Sequence, residues 1–558
     1  MSGPAPTEDD AGKETAASGK NRSLVMDHLS GPHDRTFIKI SIICIIAGSL
    51  LLFFFNLGGR DFWAPDEGDF AQIVRELDSD PIVPHLNNSP YGEKPPLFYY
   101  TVYLSAKIFR WLPDETSMRI CSAFAALITI IAFFVVAGRA FGFSQALVAA
   151  VILGLSPLFY WQARYLQVDM VFSAALVLAL LAFFRFTENG RTGWYYAFFI
   201  MLALAFMTKG PLSAALAIPV IVLYLITGKR MSVIFTRHTL FGLIVFLAVI
   251  VPWYAAVYLK EGYPFLYENI LRQNFLRFFE AWSHKRPFYY YFTTLPLDFF
   301  PWSLFLPLGI YAAIKSWKTD DKTRFFLLWF LWFFFFLSLS SGKISKYMLP
   351  VLPALAVIIS GPMLEWDRRY NRIVFRIVAI LVMGLGAALL AYHSPHYREF
   401  MPERIMIGIS GICAGILVFA CLKYSTARKA FACLALFLGI AYLVGNISIF
   451  GKLNRYKSPK PVAEKVRALA GNTVPWVYYG SMRGVYVYYV GRFALHVDEH
   501  DTKGLRQAAA REGEFYLLAR ERDADEVKKA VPGIVIKSRD TIGNTEMVIF
   551  HREKKGNG

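Results

Sequence analysis

The sequence predicts a polytopic α-helical membrane protein with a small α/β domain at its C-terminal end. Three observations carry that prediction. Of 558 residues, 56% are hydrophobic and only 18% charged, with 49 Phe, 30 Tyr and 12 Trp, a balance foreign to a soluble chain of this length. Apolar runs about as long as a bilayer is thick recur along the chain. After residue 451 the pattern changes to short apolar runs alternating with polar helical stretches.

In chain order, residues 1–36 are hydrophilic, with no apolar core after the first Met. They are expected to be a disordered cytoplasmic tail rather than a cleaved signal peptide. Fourteen apolar runs follow, at about 37–56, 97–112, 119–140, 144–161, 168–186, 192–207, 210–228, 238–258, 299–317, 324–340, 347–365, 371–392, 404–423 and 429–450. Charge decides which of them cross, because cytoplasmic loops collect Lys and Arg. Basic loops stand at Lys229, Arg230 and Arg237; at Lys315, Lys318, Lys322 and Arg324; at Arg368, Arg369 and Arg372; and at Lys423, Arg428 and Lys429. The tail carries Lys20, Arg22 and Arg35. With tail and loops on one side, an even number of spans must precede Lys229, yet seven runs do. The run 97–112 is short and holds Lys107 and Arg110, so it is read as an amphipathic helix on the membrane surface. Thirteen spans remain, making 37–451 the membrane domain and 452–558 a soluble α/β domain on the side opposite the N-terminus. The net charge of +18 then belongs to loops and lipid head groups, with no nucleic acid implied. The five cysteines, all inside apolar runs, lack metal or disulfide spacing and read as packing residues.

This topology puts the chemically interesting residues on the outer side. "WAPDEGDFAQIVREL" sets Asp66, Glu67 and Asp69 just after the first span. A solvated loop end explains them, and so does a carboxylate aimed into an outward cavity to orient or deprotonate an acceptor or bind a cation. Asp169 begins an apolar helix, where the dipole alone would favour it. "YGEKPPLFYY" holds Glu93 and Lys94, an exposed ion pair or part of a site. Lys209, Lys343, Lys346 and Tyr347 stand at other outer span ends. Each lysine there could simply snorkel, or the group could hold a phosphate. The loop 259–298 is aromatic and basic and reads as a second interfacial helix with a flexible segment. His284 within it is by itself an ordinary polar residue, and joins Glu93 in a metal site only if the two loops meet.

The ordered set "DE" after the first span, "EKPPLFYY", "SPLFYWQARYLQVDM", "MTKGPL" and "SKYMLPVLPALA", spread over about residues 60–360, resembles the GT-C membrane glycosyltransferases related to protein O-mannosyltransferases. Within that superfamily it is most similar to the bacterial 4-amino-4-deoxy-L-arabinose lipid A transferases. The resemblance implies transfer of the aminosugar from undecaprenyl phosphate to lipid A phosphates at the periplasmic face of the inner membrane. It further implies Asp66 as the main catalytic carboxylate and Asp169 as a second acid. Lys94, Lys209 and Tyr347 would face the donor phosphate, and Glu93 with His284 would be a candidate position for a divalent metal. Another polyprenyl-linked sugar or a protein acceptor would suit the same pattern. A transporter or flippase fits less well, since its ionisable groups belong near the bilayer midplane and these stand at span ends.

Overall fold

The computed structural model describes residues 32–392 and 394–553. The expected tail therefore falls outside the described residues up to position 31. Its last five residues do not form a tail, because a helix already begins at Pro32 and runs to Ser49. The chain divides into two units, Met1–Gly48 and Ser49–Gly558. Every site residue discussed below lies in the second.

Each of the thirteen expected spans corresponds to helical structure, but not all are long and apolar enough to cross. Among the described residues nine helices meet that test, or eleven if two bent pairs, Phe143–Gly154 with Pro157–Ala163 and Tyr290–Asp298 with Trp302–Lys315, each count as one. Leu212–Thr227 is shorter, at 16 residues. The helix Thr192–Lys209 has 18 residues but mixes Trp, Tyr and Lys into its apolar run. Many large apolar side chains on the spans face outward, among them Leu240, Phe241, Ile244, Ile380, Leu385 and Ile416. Such a surface matches hydrocarbon and would be costly in water.

Two short helices stand between the first two spans: α1 (Asp66–Glu76) and α2 (Leu97–Ile108). A two-stranded turn, β1 (His85–Leu86) with β2 (Ser89–Pro90), links them. With twelve residues α2 is roughly 18 Å long, too short for a bilayer core of about 30 Å. One side, with Phe98, Tyr99 and Val102, is buried, while Leu104 and Ile108 are exposed. The loop expected to be partly flexible is ordered instead: a continuous helical stretch from Tyr263 to Phe279, then a bridge between Lys285 and Gly342.

The C-terminal sheet has five strands in the order β4-β3-β5-β7-β6: β3 (Trp476–Tyr479), β4 (Leu495–Val497), β5 (Phe515–Arg520), β6 (Val535–Ile542) and β7 (Thr545–Arg552). β3 runs parallel to β4 and β5, and β7 is antiparallel to β5 and β6. Alternation along β3 sends its side chains to two different cores. Val477 and Tyr479 pack with Leu505, Ala508 and Val527 of the domain's own helices. Trp476 and Tyr478 join a core that includes Phe70, Ile73 and Val74 of α1 and Phe98, Tyr99 and Val102 of α2. The surface helix expected at 97–112 is thus packed under the soluble domain.

Candidate active site

The acids of α1 are separated by helix geometry. Consecutive helical residues point about 100° apart, so Asp66 and Glu67 cannot face the same place. Glu67 is wholly buried. It accepts from Arg119 Nε at 2.8 Å and Nη2 at 2.9 Å, from Arg60, and from the backbone N–H groups of Trp63 at 3.2 Å and Leu166 at 2.9 Å. Burial pushes its carboxyl up, but Arg119 and Arg60 outweigh burial and hold it at about 2. Glu67 is a structural anchor joining three segments, which corrects the reading that grouped it with Asp66 as a site acid.

Asp66 faces the other way. Its Oδ2 accepts from Lys346 Nζ at 3.0 Å and from the side-chain amide of Gln167, and its side chain is 33% exposed. Asp169 sits in the first turn of α3 (Val168–Asn189) and is only 3% exposed. It contacts Lys209 Nζ at 2.5 Å and Lys346 Nζ at 3.5 Å. Lys209 is the last residue of α4 (Thr192–Lys209), an end where the dipole favours a cation. Its ammonium lies 4.4 Å from the centre of the Tyr347 ring, within cation–π range. Two acids and two lysines therefore alternate in one chain, Asp66–Lys346–Asp169–Lys209, drawn from four distant parts of the sequence.

Beside this chain is a cavity of about 300 Å³ lined by Lys94, Lys209, Arg277, Gln273 and Tyr347, with Leu212, Phe275, Phe279 and Phe336 forming apolar walls. The Lys94 Nζ donates to the Glu93 carbonyl at 3.0 Å. Burial, with Arg277 and Lys209 nearby and only Glu93 and Asp169 opposing, brings Lys94 down to about 8. Cations at one end of an apolar cavity suit an anionic head on a hydrocarbon tail.

Of the sequence-predicted residues, Asp169 meets Lys209 and Lys209 meets Tyr347, Asp66 joins them through Lys346, and Lys94 shares the cavity of Lys209 and Tyr347. Glu93 and His284 do not make a metal centre. Among the described residues no group of three or more His, Cys, Asp or Glu side chains could hold a metal. His284 lies among Arg277, Lys346 and Arg286, which together with burial hold it below its ordinary range. Asp66 is the one acid acting on His284, and one imidazole with one carboxylate from Glu93 is a sparse donor set for a divalent ion. Lys343 is likewise no phosphate ligand: its ammonium donates to the carbonyls of Arg286, at 3.0 Å, and Ser340. The five cysteines are free. Sequence reasoning passed over Arg277, Gln167 and the bridging part of Lys346. Only Lys346 left a signal, since it adjoins Tyr347 at an outer span end.

Comparison with known proteins places the chain in a family. The family model for dolichyl-phosphate-mannose-protein mannosyltransferases matches residues 93–255. An undecaprenyl phosphate-alpha-4-amino-4-deoxy-L-arabinose arabinosyl transferase from Pectobacterium atrosepticum is 31% identical over 455 residues, covering 74% of this chain and 77% of that protein. The chain belongs to the arabinosyl transferase family. A second member, from Sodalis glossinidius, is 30% identical over 464 residues, covering 78% of this chain and 82% of its own. The arabinosyl transferase fold is also seen in the crystal structure of ArnT from Cupriavidus metallidurans bound to undecaprenyl phosphate. That structure superposes with a TM-score of 0.76 at 19% identity, over 91% of this chain and 97% of that one. The fold is GT-C, and the chain is a multi-pass membrane glycosyltransferase that uses a lipid-linked sugar donor.

Proposed function

We propose that the protein moves 4-amino-4-deoxy-L-arabinose from undecaprenyl phosphate to the phosphate groups of lipid A at the periplasmic face of the inner membrane. The observation that carries this reading is the cavity where Lys94, Lys209 and Arg277 meet apolar walls, with Asp66 linked to Lys209 through Lys346 and Asp169. The names of the relatives supply the sugar and the lipid carrier, and the resemblance to lipid A transferases supplies the acceptor. In the transfer a lipid A phosphate oxygen bonds to the sugar's C1 as the bond from C1 to the carrier phosphate breaks, releasing undecaprenyl phosphate. Charge grows on the leaving phosphate, so Lys94, Lys209 and Arg277 count most in the transition state. The Tyr347 ring holds Lys209 in place. Asp66, part exposed beside the cavity, orients the acceptor and takes its proton where the phosphate still carries one. Asp169, buried between two lysines, is a positioning residue.

The test is mass spectrometry of lipid A from cells with and without the gene, joined to transfer by the purified protein. Aminosugar addition that depends on the gene supports the reading. Unchanged lipid A, with no transfer by the purified protein, overturns it.

A further inference from the structure

Next to the phosphate cavity is a second group of polar side chains with no part in the scheme above. Asp69 lies on α1 one turn beyond Asp66, and Glu93 immediately precedes Lys94. Asp69 accepts the backbone N–H of Gly484 at 2.6 Å and feels Arg483 only at longer range. Glu93 acts on the nearby hydroxyl of Tyr91. Among the described residues, neither acid forms an ion pair of the kind Asp66 and Asp169 make, although Lys94 and Arg272 act on Glu93 through space. Near both acids is an independent feature. Tyr99 is wholly buried, its hydroxyl has no hydrogen-bond partner, and the charges nearest it are Glu93, Asp69 and Asp66. A buried phenol left unpaired among carboxylates costs free energy unless something fills the place.

We propose that Asp69, Glu93 and the Tyr99 hydroxyl form the subsite that takes the cationic 4-amino group of the donor sugar, an inference that rests on the function proposed above. An ammonium carries three N–H donors and no acceptor, and these groups offer it two carboxylates and a phenol oxygen. Glu93 adjoins Lys94 in the chain, so a sugar whose C1 phosphate meets Lys94 lies close to Glu93. Its C4 amine, across the ring from C1, is placed with Glu93 and Asp69, two carboxylates near enough to act on each other. Asp66 is not the amine's ligand, being occupied by Lys346 and Gln167. Burial pushes the Asp69 carboxyl up to about 8, and an ammonium beside it would favour the ionised form.

The experiment uses the purified full chain, lipid A as acceptor, and two donors: undecaprenyl phosphate bearing the free-amine sugar, and the same lipid with the amine acetylated. Sugar-free undecaprenyl phosphate is the binding probe. The wild type should prefer the free amine. Asp69→Asn, which keeps an oxygen for the Gly484 N–H, should lower kcat/KM for that donor about tenfold or more. It should leave the acetylated donor's rate and the binding of undecaprenyl phosphate unchanged. Tyr99→Phe should act in the same direction and more weakly. Wild-type use of both donors alike, or full amine preference in both variants, overturns the subsite while leaving the function standing. Loss of undecaprenyl phosphate binding in both variants marks the residues as structural and overturns it too. Absence of transfer from either donor by the wild type overturns the function itself.

Discussion

Two acidic residues, adjacent in sequence, have opposite duties here, and each can be tested alone. Glu67 holds Arg60 and Arg119 in a place that water does not reach. Removing one partner of such a network leaves charge buried and unpaired, at a cost of about 3–5 kcal/mol. Glu67→Gln should therefore lower thermal stability in detergent and the yield of folded protein, whereas Asp66→Asn should keep both and lose transfer. A folded, active Glu67→Gln protein would contradict this division. The folded carboxyl sits at about 2, against an ordinary value of 4.5. Its contribution to stability is thus complete above about 4.5 and lost as pH falls from there through about 2. Lys94 gives the opposite signature, in binding. Its ammonium titrates near 8, so affinity for undecaprenyl phosphate should weaken as pH rises through about 8. Lys94→Arg, permanently charged, should flatten that profile even if its affinity is lower. A wild-type affinity that stays level from pH 7 to 9 would remove Lys94 from the phosphate site. For Lys209 the expectation is a sharp loss of transfer in Lys209→Ala and partial activity in Lys209→Arg, because Asp169 and the phosphate both need the charge. An active Lys209→Ala protein would show a lysine that merely snorkels.

At the scale of elements, the position of α1 depends on close approach to the soluble domain. Gly68 meets α5 (Gly484–Val490) so tightly that a Cβ there would come within 2.1 Å of the Val485 Cβ and 2.5 Å of its Cα. Because the second contact is backbone, the helices must move apart to admit even a methyl group. Overpacking of this kind costs about 1–3 kcal/mol. It would shift the helix carrying Asp66 and Asp69, so Gly68→Ala should reduce transfer without removing any polar group. Val485→Gly in the same chain should restore part of the loss, measured as kcat/KM. A fully active Gly68→Ala protein would show that the docking is loose. This dependence was not legible in the sequence, where Gly68 reads as one more small residue in a loop. What was legible came from period and position. Apolar runs announced the helices, and polar residues at the ends of those runs announced Asp66, Asp169, Lys209 and Tyr347. The rotation of α1 was hidden, so Glu67 looked equivalent to Asp66. Also hidden was the folding of 263–279 over the cavity, so Arg277 read only as part of a basic, aromatic loop. Pairing of Lys346 with both acids depends on contacts 280 residues apart for Asp66 and 177 for Asp169, which no local pattern records.

For the whole molecule, α3 relates the site to the basic loops. Its first turn carries Asp169. At its other end Glu188 lies 3.4 Å from Lys322, in the loop with Lys315, Lys318 and Arg324. Twenty-two residues of helix separate these ends by roughly 33 Å, about one bilayer core. The Lys229 loop is at the same end as Lys322, since Arg230 pairs with Asp321. These two basic loops therefore lie at one end of α3 and the active site at the other. The soluble domain belongs with the site, because the Gly484 N–H meets Asp69. Short basic loops remain in the cytoplasm, so the site and the C-terminal domain should face the periplasm. A phosphatase reporter that works only in the periplasm should be active when fused after the C-terminal domain and inactive when inserted between Gly228 and Arg237. The reverse pattern would put Asp66, Lys94 and Lys209 in the cytoplasm, on the wrong side for lipid A phosphates exposed at the periplasmic face. The proposed acceptor would then fall even if the catalytic residues stood.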